Sequence, residues 1–136
     1  MQIKLFKAGE LVPSAGVFDA VSQGRADCGG DWSSYWAGKN MAFEFGASFP
    51  MGMAPNDYMN WYYYGGGKEI YNWLYGKSNM VYFLNVVTPM ESGMRTNVPI
   101  KTLADFKGKK LRMAGKAAGY ILQKLGAAQM MTAGGE

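Results

Sequence analysis

The sequence predicts an α/β fold built on a largely parallel sheet, because short strand-like runs alternate with amphipathic helical segments. The clearest unit is residues 110–132, in which a strand-like run at 110–113 is followed by a helical stripe and a second strand-like run at 127–132. Residues 80–87 form a nearly continuous apolar run, which is typical of a central strand buried on both faces. Because open parallel sheets bind ligands beyond the carboxyl ends of their strands, we expect a ligand site there.

The remaining predicted elements are short and are separated by glycine, proline and small polar residues. The glycine triplet at 65–67 divides one helical region into two helices. A change of domain is expected between residues 79 and 88, where the chain leaves this helical region and enters the apolar run. The other elements are strands at 2–7 and 26–30, a helix opening at 13–14 and stopped at 24, helices beginning at 31, 57 and 68, and a helical turn from 102.

The composition indicates a globular chain that attracts anions. Its 136 residues have the length of one ordinary domain, and 49% are hydrophobic against 18% charged, so enough apolar surface is available to offset the entropy cost of ordering. The 14 Lys and Arg residues exceed the 10 Asp and Glu residues, which gives a net charge of +4. The basic residues concentrate at 107–116 without matching a nucleic-acid-binding motif, so we expect no nucleic-acid partner.

The histidine and cysteine content excludes several classes of chemistry. The chain has no His, and Cys28 is its sole cysteine. A disulfide within the chain, a zinc site with nitrogen and sulfur ligands, and a His-based nucleophilic triad are therefore unavailable. No run approaches the roughly 20 apolar residues that span a bilayer, and residues 1–10 are strand-like and charged where a signal peptide would be apolar.

Arg112 is the strongest candidate for holding a ligand. It lies in the short strand at 110–113, just before the glycine that opens a helix, and a buried arginine there needs an anionic partner. Its planar guanidinium offers paired donors that match a carboxylate, and the helix opening at Gly115 would add main-chain N–H groups. The alternative is an internal ion pair with a carboxylate such as Asp105 or Glu136.

Two aromatic segments are further candidates. In DWSSYW, Ser34, Tyr35 and Trp36 follow a predicted strand and offer hydroxyl donors and an aromatic wall, although an N-cap followed by two core aromatics has the same pattern. Residues 61–64 are Trp-Tyr-Tyr-Tyr, too many aromatics for one buried helical face. They pack in the core or form an exposed surface for a partner, and the second alternative would make the chain an interaction module.

Several segments of the chain resemble the solute-binding proteins of TRAP transporters, the DctP-type periplasmic components. The segments are AGELVP, FDAVSQGRAD, SSYWAGK, YYYGGGKEIYNWLYG, IKTLADFKGKKLRMAG and LQKLGAAQMMTAGGE. They occur in the order and at the spacing typical of the family, and they cover nearly the whole chain. The similarity is closest to the branch that binds 2-oxo and 2-hydroxy monocarboxylates.

The resemblance implies a periplasmic-binding-protein-like clamshell with mostly parallel sheets, of which this chain is an incomplete part. Residues 1–83 would be part of the first α/β lobe and residues 84–136 part of the second, with further elements of both lobes outside the chain. A protein of this kind captures a small organic acid in the periplasm and delivers it to the membrane subunits of the transporter. It makes and breaks no bond.

The resemblance also carries over a pocket with two walls. In the family, the arginine of the strand that reads KLR here pairs with the carboxylate of the substrate, and that position is Arg112. The SSYWAGK segment resembles the opposite wall, which adds Tyr35 and Trp36 to the substrate-binding residues. Ser34, with its hydroxyl, and Gly115, which opens the helix beside the arginine, complete the set on the residue pattern alone.

No cofactor is expected. A metal ion bound with the substrate stays open as an alternative, although one departure from the family argues against it. Members of the branch often have a Gln that helps to bind a metal, whereas the local sequence NVVTPMESG offers Pro89 or Glu91. The alternative function is a doubly wound enzyme that acts on an acidic or phosphorylated small molecule. Such an enzyme would need a general base, which Asp31, Glu91 or Glu136 would have to supply.

Overall fold

The computed structural model describes residues 2–47, 52–89, 93–130 and 132. Its helices are α1 (Val17–Ser22), α2 (Pro55–Tyr64), α3 (Gly67–Gly76) and α4 (Lys116–Lys124), its strands are β1 (Lys110–Arg112) and β2 (Ala128–Met130), and its 3-10 helices are Ser14–Gly16, Ser33–Trp36, Met41–Gly46 and Leu103–Phe106. None of the described helices is long and apolar enough to cross a membrane.

The βαβ unit predicted at 110–132 is present. β1 and β2 are parallel neighbours, and α4 connects them. Gly115, at φ +91°, precedes α4, and Gly126, at φ +75°, follows it, so both changes of direction use a backbone conformation that glycine adopts without strain. The parallel pairing confirms the predicted α/β class, whereas Met131, near the end of the second predicted strand, lies outside the described residues.

The predicted helices that correspond to α1, α2, α3 and α4 are confirmed, with changes at their ends. α1 follows the 3-10 turn at 14–16 and ends just before Gly24, which has φ +70°. α2 begins at Pro55, before the predicted Asp57, because proline fits the first helical position, where its missing N–H has no partner to lose. The helix expected from residue 31 is only the 3-10 helix Ser33–Trp36.

α2 and α3 pack against each other on either side of the glycine triplet. Gly66 has φ +87°, and a Cβ added to Gly67 would lie 2.8 Å from the Cα of Tyr62. The break between two helices that the triplet predicts is therefore confirmed, and the close approach of the helices requires glycine at the second of these positions.

Aromatic side chains from α1, α2, α3 and the 3-10 helices form the core. The ring of Phe43 lies edge-to-face with Phe18 at 5.5 Å and with Tyr75 at 5.0 Å between centroids. Such pairs contribute about 0.5–1.5 kcal/mol beyond the burial of their area. The Tyr58 hydroxyl donates to the Tyr71 hydroxyl at 3.0 Å, and burial raises the pKa of Tyr71, so the pair stays protonated. The buried residues of the core cluster are Phe18, Trp36, Phe43, Tyr62, Tyr71, Leu74 and Tyr75.

The central strand predicted at 80–87 is wrong. The segment has no regular secondary structure, and its burial alternates: Tyr82 packs against the aromatic core, whereas Val81 and Phe83 are 70% and 75% exposed. The Tyr82 N–H donates to the Asn72 side chain of α3 at 2.9 Å, in place of a ladder hydrogen bond. Only one face of the apolar run is therefore covered. No described strand lies beside it to supply the hydrogen bonds of a sheet.

The strand predicted at 2–7 is also wrong. Ile3 and Leu5, the apolar members of the alternating pattern, are 73% and 89% exposed. An alternating segment becomes a strand only where another strand supplies hydrogen bonds, and none of the described strands lies alongside it.

The strand predicted at 26–30 is replaced by bends and irregular chain. The N–H groups of Arg25 and Ala26 both donate to the Ala20 carbonyl, at 2.7 and 3.2 Å. These bonds continue the turn at the end of α1, so the backbone folds back where an extended strand was expected.

The aromatic row at 61–64 divides between core and surface. Tyr62 is 2% exposed and Trp61 packs partly against the core, whereas Tyr63 and Tyr64 are 53% and 89% exposed. The buried face of α2 therefore holds only some of these four aromatic side chains, as the sequence predicted. A partner for the exposed pair stays a prediction.

Candidate ligand-binding site

A cavity of about 150 Å³ lies between the 3-10 helix Ser33–Trp36, with the turn after it, and the start of α4. Hydroxyl, amide and ammonium side chains supply its polar groups, a set that suits a small anion with oxygen atoms. Three residues predicted for the site, Ser34, Tyr35 and Gly115, line it. The complete lining is Ser34, Tyr35, Ala37, Gly38, Gly115, Lys116 and Gln129.

Gln129 holds the loop between β1 and α4, which forms one wall of the cavity. Its side-chain amide donates to the carbonyl oxygens of Met113 and Gly115, both at 2.7 Å. In the parallel pair Gln129 stands opposite Leu111, so its side chain can reach the loop that follows β1. The sequence does not single out Gln129, because an amide within a short strand carries no signal for a contact made in the folded chain.

The side chain of Glu44, from the 3-10 helix Met41–Gly46, contacts the first turn of α4. It is 7% exposed, and its Oε1 accepts hydrogen bonds from the N–H of Lys116 and, at 3.3 Å, from that of Ala117. The main-chain N–H groups expected beside Gly115 for a ligand anion are therefore given to a carboxylate of the chain itself, which corrects that expectation. The one signal for Glu44 in the sequence is its position as a lone charge in the apolar run MAFEFG.

Arg112 ends β1, shortly before Gly115 of the cavity wall in the chain, but it does not line the cavity. The sequence predicts a buried arginine, whereas the side chain is exposed, because burial alternates along β1 and Leu111 takes the half-buried position. Its Nε donates to the Thr132 carbonyl at 3.4 Å, and no described carboxylate lies within 4.0 Å of it.

The internal ion pair considered for Arg112 does not form with Asp105. The Asp105 carboxylate instead accepts the N–H groups of Lys101 and Thr102, at 2.9 and 2.8 Å, in the capping box of the 3-10 helix Leu103–Phe106. These backbone hydrogen bonds lower the pKa of Asp105. Glu136, the other carboxylate considered, lies outside the described residues.

Trp36 lies in the aromatic core and does not line the cavity. Its ring centroid is 5.3 Å from that of Phe18, and its indole N–H donates to Asp31 Oδ2 at 3.0 Å. Tyr35, its neighbour in sequence, is 42% exposed and lines the cavity. The DWSSYW segment therefore sends one aromatic side chain into the core and the other toward the cavity.

We expect the substitution Asp31→Asn to stabilise the chain at neutral pH. Asp31 is exposed as a residue, but partial desolvation of its carboxyl raises its pKa, with the Trp36 hydrogen bond opposing the shift. The folded chain therefore holds the ionised carboxyl slightly less favourably than the unfolded chain does. That cost is present above the raised pKa and disappears as pH falls toward the ordinary value. Asparagine keeps an oxygen that accepts the Trp36 N–H.

Urea unfolding of both chains at neutral pH and at about pH 4 measures this effect. The free energy of unfolding should be larger for the variant than for the unchanged chain at neutral pH, and this difference should shrink at the lower pH. The same change at exposed Asp27 is the control. A pH-independent difference at position 31 would contradict the role given to its ionisation.

The family of the chain follows from a comparison with known proteins. Residues 1–136 match the family described as bacterial extracellular solute-binding protein, family 7 (DctP). The chain belongs to this family. Because it is a family of solute-binding proteins, membership confirms the predicted class of non-enzymatic binding protein and gives the doubly wound enzyme no support.

Relatives of this solute-binding chain include proteins that bind small acids. A monocarboxylate 2-oxoacid-binding periplasmic protein of Nostoc sp. is 36% identical over 135 residues, which are 99% of this chain and 37% of the relative. The chain thus spans well under half the length of this relative. The match confirms the resemblance to the monocarboxylate branch.

Solved structures of TRAP solute-binding proteins have the same fold. One from Bordetella bronchiseptica, with calcium and picolinate, superposes with a TM-score of 0.90 at 34% identity, over 97% of this chain and 39% of that one. Another from Pseudoalteromonas atlantica, with sodium and pyruvate, has a TM-score of 0.84 at 34% identity, over 90% of this chain and 37% of that one. The predicted periplasmic-binding-protein-like fold is confirmed.

The metal ions named for these two structures raise the question of whether this solute-binding chain offers a metal site. No group of three or more His, Cys, Asp or Glu side chains suited to a metal ion occurs in the described part of the chain. Pro89 is described but has no side-chain oxygen, and Glu91 lies outside the described residues. A metal ion bound together with the substrate therefore stays a prediction for this chain.

A second cavity of this solute-binding chain, of about 260 Å³, lies beside β1. It is lined by Arg95, Lys109 and Lys110 among others, and so includes part of the basic concentration noted in the sequence. It shares no lining residue with the first cavity and contains none of the residues predicted to bind substrate.

Proposed function

We propose that this chain forms part of a periplasmic solute-binding protein that captures a small monocarboxylate, of the 2-oxo acid class, for a TRAP transporter. The observation that carries the proposal is the polar cavity between the 3-10 helix Ser33–Trp36 and α4. Ser34 and Tyr35 supply hydroxyls on one wall, and Gly115 and Lys116 form the other.

The size of the cavity supports a small ligand. Cavities that hold drug-sized molecules have volumes of about 300–1,000 Å³. The cavity here has about 150 Å³, and a protein cavity of about that volume holds a benzene molecule. Pyruvate has as many non-hydrogen atoms as benzene, so a molecule of its size fits.

The charges near the cavity support an acid as the ligand. Lys116 lines the cavity, and Arg112 ends β1 just before the loop that forms the cavity wall. Neither side chain has a carboxylate within 4.0 Å among the described residues. We therefore assign the ligand carboxylate to the Arg112 guanidinium, which does not line the cavity in this structure and in this proposal turns toward it when the acid binds. The guanidinium can bind both carboxylate oxygens at once, and Lys116 adds positive potential at the cavity. In this proposal, side chains of this chain meet the charge of the ligand.

The proposal extends to the arrangement of the whole protein. Residues 1–83 and 84–136 belong to different lobes of a clamshell in this proposal, and the two walls of the cavity come from opposite sides of that division. The described residues on each side pack mainly among themselves, in the aromatic core and in the βαβ unit. Delivery to the membrane subunits of a TRAP transporter would follow closure on the acid.

Calorimetric titration of the intact protein with pyruvate and with pyruvamide tests the proposed function. Pyruvamide has nearly the shape of pyruvate but no charge, so it cannot form a charge-assisted pair with Arg112. We expect pyruvate to bind at least roughly thirtyfold more tightly, which corresponds to the low end of the about 2–5 kcal/mol carried by such a pair. Succinate serves as a test for dicarboxylates. Equal binding of pyruvamide, or binding of succinate alone, would overturn the proposal.

A further inference from the structure

The cavity lies where two packing units of the chain meet. We call residues 14–76, which contain α1 to α3 and the aromatic core, the helical unit, and residues 110–130, which contain β1, α4 and β2, the sheet unit. The 3-10 helix Met41–Gly46 of the helical unit contacts α4 of the sheet unit. The cavity takes lining residues from both units, so their relative position determines its shape.

Glu44 bridges the two units beside this cavity. It belongs to the helical unit, and its buried carboxylate accepts the N–H groups of Lys116 and Ala117 at the first turn of α4. No Lys or Arg nitrogen of the described residues lies within 4.0 Å of it. A buried charge needs compensation, and here the hydrogen bonds and the positive end of the helix dipole supply it.

The loop that Glu44 holds is the cavity wall itself. Gly115, which precedes the bound N–H groups, has φ +91°, and a Cβ at this position would lie 2.6 Å from Glu44 Oε2. Gln129 holds the same loop from the sheet unit, through its hydrogen bonds to Met113 and Gly115. Two side chains therefore hold the loop. Gln129 holds it from within the sheet unit, and Glu44 connects it to the helical unit, which carries the other wall of the cavity.

We propose that Glu44 is a positioning residue for ligand binding. By fixing the first turn of α4, it keeps Gly115 and Lys116 facing the wall that carries Ser34 and Tyr35. This inference rests on the proposed function, since it concerns the same cavity. Without Glu44 the two units separate more easily, so a bound acid leaves faster, while each unit keeps its own packing.

The substitutions Glu44→Ala and Glu44→Gln test this role, with pyruvate as the probe and the intact protein as the sample. Calorimetry gives the affinity, stopped-flow fluorescence gives the dissociation rate, and circular dichroism checks that each variant is folded. Glu44→Ala should weaken binding roughly tenfold, mostly through faster dissociation. Glu44→Gln keeps one acceptor oxygen but no charge, so its loss of pyruvate affinity should be smaller. If the alanine variant does not fold, the dissociation rate of the glutamine variant tests the positioning role.

Glu69→Gln is the matched control. Glu69 also lies in the first turn of a helix, α3, but it is exposed and lines neither cavity. Its variant should bind pyruvate as the unchanged protein does. A dissociation rate unchanged in folded Glu44 variants would overturn the inference and leave the proposed function standing. If the unchanged protein does not bind pyruvate, the proposed function itself fails.

Discussion

Replacing Arg112 by alanine should weaken the binding of pyruvate by at least roughly thirtyfold, because the ligand carboxylate loses the guanidinium that pairs with it. The expected cost is about 2–5 kcal/mol, which is the range for removing one partner of a hydrogen-bonded charge pair. Since Arg112 is exposed and its protein partner is the Thr132 carbonyl at 3.4 Å, the loss of stability should be small. Calorimetry of both proteins at one ionic strength measures the effect.

Lys110→Ala is the matched control for this experiment. Lys110 lies on the same strand, is also exposed, and loses the same charge, but it lines the second cavity. We expect it to leave pyruvate affinity nearly unchanged. The pyruvate affinity of Arg112→Lys should lie between those of Lys110→Ala and Arg112→Ala, because lysine keeps the charge but loses the planar pair of donors. An affinity that falls equally in Lys110→Ala and Arg112→Ala would indicate general attraction of anions and contradict a specific clamp.

Replacing Phe43 by alanine should lower the free energy of unfolding by about 3–5 kcal/mol, the range for removing a buried aromatic side chain from a core. Phe43 is 3% exposed, and it loses edge-to-face contacts with both Phe18 and Tyr75. A domain has a total stability of only about 5–15 kcal/mol, so this one change removes a large share of it. Urea unfolding of the 136-residue chain measures the loss.

Phe83→Ala is the control for the core substitution, since Phe83 is the same residue type but is 75% exposed. We expect a change within about 0.5 kcal/mol. Phe43 precedes Glu44 in the 3-10 helix that contacts α4, so the Phe43 variant should also bind pyruvate more weakly than the control does. Equal losses of stability in the two variants would show that the aromatic cluster does not hold the fold together.

The elements that the sequence predicts well are those defined by local rules. The βαβ unit at 110–130 has glycines at both ends of its helix, and its strands pair with each other, so each part of the signal lies within one short segment. The helical turn predicted from residue 102 is equally local, since the capping box of Thr102 and Asp105 begins it. These parts of the fold agree with the prediction because no distant contact decides them.

The elements that the sequence predicts badly depend on what lies beside them. Residues 80–87 have the composition of a buried strand, but α3 covers one face, through Asn72 and the aromatic core, and no described strand covers an edge. In the candidate site, Arg112 and Gly115 belong to a segment that resembles a family motif, so the sequence points to them. Glu44 contacts a residue of α4 that is 72 positions away in the chain. A contact of this length depends on the packing of the two units, which no local pattern encodes.

A crystal structure of the intact protein with pyruvate tests the central claim most directly. The account predicts pyruvate in the cavity lined by Ser34, Tyr35, Gly115 and Lys116, with its carboxylate paired to the Arg112 guanidinium and with Glu44 still bound at the first turn of α4. Pyruvate bound instead in the cavity lined by Arg95, Lys109 and Lys110, or bound without contact to Arg112, would contradict it.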